Sequence, residues 1–232
     1  MRLDKLLAHN GFGSRKEVKR LIRDGQVLVN GEIITDDDYH VTELDEIELF
    51  DLNISIEDKQ YFLLNKPKGC ICSKDASQYP SVYEYIHENL LPDTNAFGRL
   101  DVDTEGYLII SNDGQLGHQL LSPKHHVIKG YRVTLREPFN PKYIPIIEKG
   151  ITIDQNENCE PASIEIVDEN TVNLILSQGK YHQVKRMMIA CENEVVDLYR
   201  YQFGPIIDDG SLPVGEYRRL TEDEIELLKE YK

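Results

Sequence analysis

Tryptophan is absent from this 232-residue chain, cysteine occurs only four times, and no apolar run approaches the roughly 18–20 residues that cross a bilayer. The last absence argues against a helical membrane span. The N-terminal MRLDKLLAHN runs straight into charged, periodic sequence instead of a signal peptide's apolar core, so a cytoplasmic protein that avoids membranes is expected. Cys70, Cys72, Cys159 and Cys191 form no C-x-x-C pair and no disulfide framework. Reduced thiols are expected, with Cys70 and Cys72 alternating along a strand instead of forming half a metal site. No glycine-rich, phosphate-cradling loop follows a strand, which leaves ATP or NAD use without support. Positive charge is scarce too: 26 Lys and Arg against 41 Asp and Glu give a net charge of −15.

What remains is an ordinary globular composition, 40% hydrophobic and 29% charged, in a chain whose length suits a small module plus a larger catalytic domain. The charge is unevenly spread. Residues 1–30 carry seven Lys or Arg against three acids, whereas residues 31–60 carry one Lys against eleven acids. Charges farther apart than about 8 Å are screened at physiological salt, so a basic face can hold phosphate on an acidic protein.

Leu3, Leu6 and Leu7 recur at helical spacing until Gly11 and Gly13 break the pattern. Ser14-Arg15-Lys16-Glu17 reads as a capping box opening a second helix, with Val18, Leu21 and Ile22 facing inward and Gly25 closing it. Arg15, Lys16, Lys19, Arg20 and Arg23 are left on the outer surface. Val27-Leu28-Val29, Asn30-Gly31 and Glu32-Ile33-Ile34 form a tight hairpin, because a type I′ turn needs positive φ at both central residues. The acidic stretch Asp36–Asp58 reads as the end of this module and a linker.

Beyond it, strands fit 61–65, 107–111, 131–135, 162–167, 172–176, 194–200 and 216–219, and helices fit near 82–88, 115–121, 142–149, 181–191 and 222–230. This order predicts an α+β domain with a mainly antiparallel mixed sheet flanked by helices, not a doubly wound nucleotide fold. The densest chemistry is Gly98-Arg99-Leu100-Asp101-Val102-Asp103-Thr104-Glu105-Gly106. Its acids imitate the first half of a calcium loop, but the twelfth position is Asn112 where a bidentate Glu is required, and no metal is expected. A two-carboxylate hydrolase is disfavoured, since side chains two apart on an extended segment point to opposite faces.

Two resemblances sharpen this reading. RLDKLLAHNGFGSRKEVKRLIRDGQVLVNGEII closely resembles the alpha-L, or S4-like, RNA-binding module over residues 1 to about 50. It implies that Arg2, Lys5, Arg15, Lys16, Lys19, Arg20 and Arg23 contact RNA. GRLDVDTEGYLIISNDG resembles the signature of the RsuA-type pseudouridine synthases, with Tyr107 and two isoleucines in place of leucines. Asn65-Lys66-Pro67-Lys68-Gly69, Lys129-Gly130-Tyr131-Arg132-Val133, Gly179–Met187 and Leu198-Tyr199-Arg200 match further family strings in order. The expected organisation is an S4-like domain with its acidic linker over 1–58 and a pseudouridine synthase domain over 59–232.

The resemblance implies an rRNA pseudouridine synthase, an isomerase that breaks the N1–C1′ bond of uridine and rejoins the ring through C5 without any cofactor. Asp101 would be the catalytic carboxylate, Lys185 the cation that keeps it charged, and Tyr131 the ring that stacks on the base and helps remove the C5 proton. Leu198 would wall the pocket, and Arg99 would fill the gap left by the flipped nucleotide. Lys66, Lys68, Lys129, Arg186 and Arg200 are expected to touch phosphate. His182 is assigned a surface or RNA-contacting role, because the family string tolerates other residues there. Within the family the whole-chain likeness favours 16S rRNA, free or in a partly assembled small-subunit particle, acted on by a monomer, with uridine 516 the expected target. Large-subunit 23S rRNA, and a non-catalytic assembly factor, are the alternatives.

Overall fold

The computed structural model describes residues 1–231 except 43, 55, 57, 58, 76, 77 and 155, so the last residue of the expected 1–58 domain lies outside the described residues. The chain forms two compact units, Met1–Gln60 with His87–Asn95, and Tyr61–Ile86 with Ala96–Lys232.

In the first unit, helices α1 (Leu3–His9) and α2 (Arg15–Arg23) precede strands β1 (Val27–Val29), β2 (Glu32–Ile34), β3 (Ile47–Leu49) and β4 (Leu52–Asn53), which pair in the order β2-β1-β3-β4. The Ser14 hydroxyl accepts from the Glu17 amide while the Ser14 amide donates to the Glu17 carboxylate, completing the expected capping box. Asn30 and Gly31 adopt φ of 53° and 78°, as a type I′ turn requires. Leu3, Leu6, Leu7, Val18 and Ile22 join Val27, Val29, Ile47 and Leu49 in one buried cluster. The acidic stretch is therefore not a linker throughout. Its apolar alternation at Ile47 and Leu49 completes the sheet, and its carboxylates neutralise α2.

A further carboxylate outside that stretch, Asp4 on α1, also neutralises α2 and is fully buried. It accepts from Arg2 Nε and Nη2, both at 3.0 Å, and from Arg15 Nη2 at 2.9 Å. Lys19 and Arg23 reach Asp37, Arg2 also meets Asp38, and Arg20 meets Asp24. Lys5 and Lys16 are exposed and have no ion-pair partner among the described residues.

Burial pushes the Asp4 carboxyl up, but hydrogen bonds from Arg2 and Arg15 outweigh burial and hold it at about 2. A carboxyl depressed in the folded state stabilises above its unfolded value, near 4, and the contribution is lost as pH falls from about 4 towards 2. Asp4→Asn is therefore expected to cost roughly 2 kcal/mol at pH 7. The gap between variant and wild type should close below pH 4 in urea titrations.

The second unit contains β5 (Tyr61–Lys66), β6 (Asn95–Ala96), β7 (Glu105–Ser111), α3 (Gly114–Leu121), β8 (Lys129–Leu135), α4 (Ile144–Lys149), β9 (Thr152–Ile153) and β10 (Glu157–Asn158). It continues with β11 (Ser163–Ile166), β12 (Thr171–Leu176), α5 (Gln183–Ala190), β13 (Val195–Phe203), β14 (Ile206–Ile207), β15 (Tyr217–Arg219) and α6 (Glu222–Glu230). The main sheet runs β11-β12-β8-β13-β7-β5-β15, with β14 on β13 and β6 on β7. Among the described residues of this sheet β13 and β7 are the one pair of strands that runs parallel, which gives the mainly antiparallel mixed sheet the sequence predicts.

Two cores hold this sheet. One joins Val184, Met187 and Met188 of α5 to Tyr131, Val133, Leu174 and Leu198. The other joins Leu116 and Leu120 of α3, and Ile225 and Leu228 of α6, to Leu63, Tyr107, Ile109 and Phe203. Strand β13 contributes to both.

Two expectations need correction. The segment near 82–88 is a short 3-10 helix, Val82–Tyr85, which ends because the chain leaves at His87 for the first unit. Cys70 and Cys72 do not alternate along a strand. β5 stops at Lys66, and the thiols flank an isolated bridge between Ile71 and Ser81.

Candidate active site

The site is built where β5 ends, β7 begins and α5 starts. Residues 101–104 form a turn closed by the Thr104 amide donating to the Asp101 carbonyl at 3.1 Å. From the end of β5, Lys66 Nζ donates to the carbonyls of Pro67 (3.0 Å), Asp101 (3.0 Å) and Thr104 (2.8 Å). The Gly69 amide adds a bond to the Val102 carbonyl at 2.7 Å. The turn is thus pinned at three of its four carbonyls.

One glycine is indispensable here. Gly106 lies opposite Arg200 in the parallel β7–β13 pair, with φ of 115°, and a Cβ would lie 2.3 Å from the Arg200 carbonyl oxygen. Only glycine lets the two strands meet directly after the turn.

Lys185, one turn into α5, reaches the pinned turn. Its Nζ lies 2.9 Å from Asp101 Oδ2 and 2.6 Å from Asp103 Oδ1. Burial lowers the basicity of Lys185, but the two carboxylates more than offset this, so the ammonium is held more firmly than in water. Asp103 responds in kind: its burial is outweighed by Lys185, and its carboxyl falls below the usual range. Both carboxylates converge on one cation. The expectation that their side chains diverge fails because this segment is a turn and not extended chain.

On the other carboxylate oxygen, His182 Nε2 stands 3.3 Å from Asp101 Oδ1. Sequence reasoning set His182 aside, yet it directly neighbours Asp101. The signal available was its spacing of three from Lys185, which places both on one side of the helix start.

Tyr131 and Leu198 are 9% and 5% exposed and share a core cluster with Leu100, the residue before Asp101. Tyr131 sits opposite Arg200 on β13 and Leu174 on β12. Arg99 is exposed and has no ion-pair partner among the described residues.

Several expected phosphate contacts are turned elsewhere. Lys66 is fully buried on its three carbonyls. Lys129 Nζ donates to the carbonyls of Val127 and Ser177, and burial beside Arg200 lowers it to about 8. Arg186 is held by Asp154 and Glu157. Lys68 pairs with Asp197 at 2.5 Å. Arg200 is 1% exposed and donates through Nε to the Tyr107 carbonyl. Lys66 and Arg200 are desolvated and satisfied by protein acceptors, whereas Lys68 is exposed and is engaged through its ion pair with Asp197.

A family model described as RNA pseudouridylate synthase matches residues 60–190, the span that contains the turn, Tyr131 and Lys185. The chain belongs to the RNA pseudouridylate synthase family. An S4 domain model matches residues 1–47 of the same pseudouridylate synthase family chain. Its relatives include the ribosomal small subunit pseudouridine synthase A of Haemophilus influenzae, 44% identical, with 98% of this chain and 99% of that protein covered. An RNA pseudouridine synthase of Bacillus subtilis, YtzG, is 41% identical, with 99% of both chains covered. A crystal structure of a pseudouridylate synthase superposes with a TM-score of 0.70 at 43% identity, covering 98% of this chain and 99% of the other. Among the described residues no helix is long and apolar enough to cross a membrane.

The Lys185 contact generates a test. Lys185→Arg keeps a cation between two carboxylates, whereas Lys185→Met leaves them facing each other without one. Single-turnover assays should give Lys185→Arg at least about tenfold more activity than Lys185→Met, a difference of about 1.4 kcal/mol. Equal activity in the two variants would remove the charge from the mechanism.

Proposed function

We propose that this chain converts one uridine of 16S rRNA to pseudouridine, with Asp101 as the catalytic carboxylate. The observation that carries the catalytic reading is the convergence of Lys185 on Asp101 at the end of a turn fixed by Lys66. Breaking the N1–C1′ bond develops electrophilic character at the sugar, and a carboxylate with a fixed cation on one oxygen is suited to meet it. Tyr131 grips the base face, Leu198 lines the pocket beneath it, and Arg99, with no competing acid, fills the stack that the extruded nucleotide leaves. No redox change or group donor enters the isomerisation, so no cofactor is needed.

The S4-like unit is the RNA anchor. Lys5, Lys16 and the outward Arg20 offer its least neutralised charge to phosphate. The acidic remainder of the surface favours one shaped target over many sequence-matched ones. The small-subunit assignment draws on the whole-chain likeness to ribosomal small subunit pseudouridine synthase A proteins, and uridine 516 is the expected position. The enzyme acts as a cytoplasmic monomer, on free 16S rRNA or on a partly assembled small-subunit particle.

Site-resolved mapping of pseudouridine in both ribosomal RNAs, with and without the gene, checks this directly. One site should vanish from the 16S rRNA and none from the 23S rRNA. Loss confined to the 23S rRNA would move the enzyme to the large subunit, and loss at several scattered sites would refute a single shaped target.

A further inference from the structure

The residues just before α5 stack an exposed tyrosine on a half-buried histidine that meets the carboxylate. Tyr181 is 76% exposed, and its ring stacks on His182 with centroids 3.8 Å apart and planes 20° from parallel. Solvent-facing tyrosines on a loose loop would need no explanation, but this turn is firmly held. The Lys180 amide donates to Gln183 Oε1 at 2.9 Å, the Gln183 amide donates to the Lys180 carbonyl at 3.2 Å, and Arg186 Nη1 donates to the Tyr181 carbonyl at 2.9 Å. Lys180 and Arg186 are themselves anchored on Glu157. His182 adopts φ of 47°, a conformation that costs a non-glycine residue on the order of 1 kcal/mol or more and that persists where the surroundings over-determine it. The turn thus holds the Tyr181 ring out in solvent and the His182 imidazole against Asp101.

We infer that Tyr181 and His182 form a stacking platform for a nucleobase flanking the target uridine, and that His182 is also a positioning residue for Asp101. This rests on the reading that the chain modifies a uridine in folded RNA. Two contacts in series, 3.3 Å from Asp101 Oδ1 to His182 Nε2 and 3.8 Å between the rings, join the exposed Tyr181 ring to the residue that meets Asp101. An aromatic face receives any base, which suits a contact that steadies the strand next to an extruded nucleotide without reading its sequence. The imidazole stands at Oδ1 while Lys185 holds Oδ2, so His182 helps to fix the carboxylate whether or not a base rests on Tyr181.

The test uses the full chain and a 16S rRNA transcript containing the target uridine, with 2-aminopurine placed singly at the flanking positions. Affinity, 2-aminopurine quenching and the single-turnover rate at saturating RNA are measured. Tyr181→Ala should weaken binding about tenfold and abolish quenching at one flanking position, while the saturated rate falls no more than about threefold. Tyr181→Phe should restore both affinity and quenching to within about twofold. His182→Phe keeps a stacking ring but loses the nitrogen at Asp101, so affinity should hold while the saturated rate drops about tenfold or more. Unchanged affinity and quenching in Tyr181→Ala would overturn the platform, and a wild-type saturated rate in His182→Phe would overturn the positioning role. Failure of the wild type to form pseudouridine both in this transcript and in a small-subunit particle assembled on it would overturn the reading beneath both, and is told apart because the variants are then not in question.

Discussion

The buried ammonium of Lys66 is the constraint on which the site depends. Burial lowers its basicity, and three carbonyls, two of them from the turn at 101–104, repay the loss of water. A cation on main-chain oxygens restrains a turn more firmly than a side-chain contact would, because the acceptors are the backbone itself. With the Asp101 and Thr104 carbonyls tied to one atom, the Asp101 side chain has a fixed origin. Gly106 then carries the chain straight into its parallel contact with Arg200, and α5 brings Lys185 across to the carboxylate.

The same economy governs charge. A protein of −15 cannot rely on a general positive field, and many of its cations, Arg15, Lys19, Lys185 and Arg186 among them, are paired with nearby acids. In the S4-like unit Asp4 gathers Arg2, Arg15 and Lys19, which makes part of the basic helix a structural cluster and leaves few charges for phosphate. In the catalytic unit Lys185 serves two carboxylates at once. Cations that look alike in sequence thus divide into those tied into the fold and those, such as Lys5, Lys16 and Arg99, that are proposed to meet RNA.

Local features were legible in the sequence because their causes are local. The Ser14–Glu17 capping box, the Asn30-Gly31 turn and the apolar runs of β5 and β7 each depend on residues within a few positions of one another. Family strings single out Asp101 and Lys185, which are far apart in sequence and lie 2.9 Å from each other in the fold. What escaped depended on long-range convergence. A buried Lys66 and an exposed lysine read identically in sequence, and the inward turn of Lys129 and Arg200 follows from strand neighbours that no spacing reveals. Asp103 was assigned to the wrong side of the chain because a turn was read as extended segment. His182 is passed over because the family string tolerates other residues there, and its proximity to Asp101 arises only when α5 docks against the turn.

The most direct measurement of the central claim is single-turnover pseudouridine formation by Asp101→Asn, with RNA affinity measured on the same transcript. The neutral amide keeps the shape of the side chain and removes its nucleophilic and basic capacity. The account predicts that product formation disappears while affinity stays within a few-fold of wild type; turnover near the wild-type rate would contradict it.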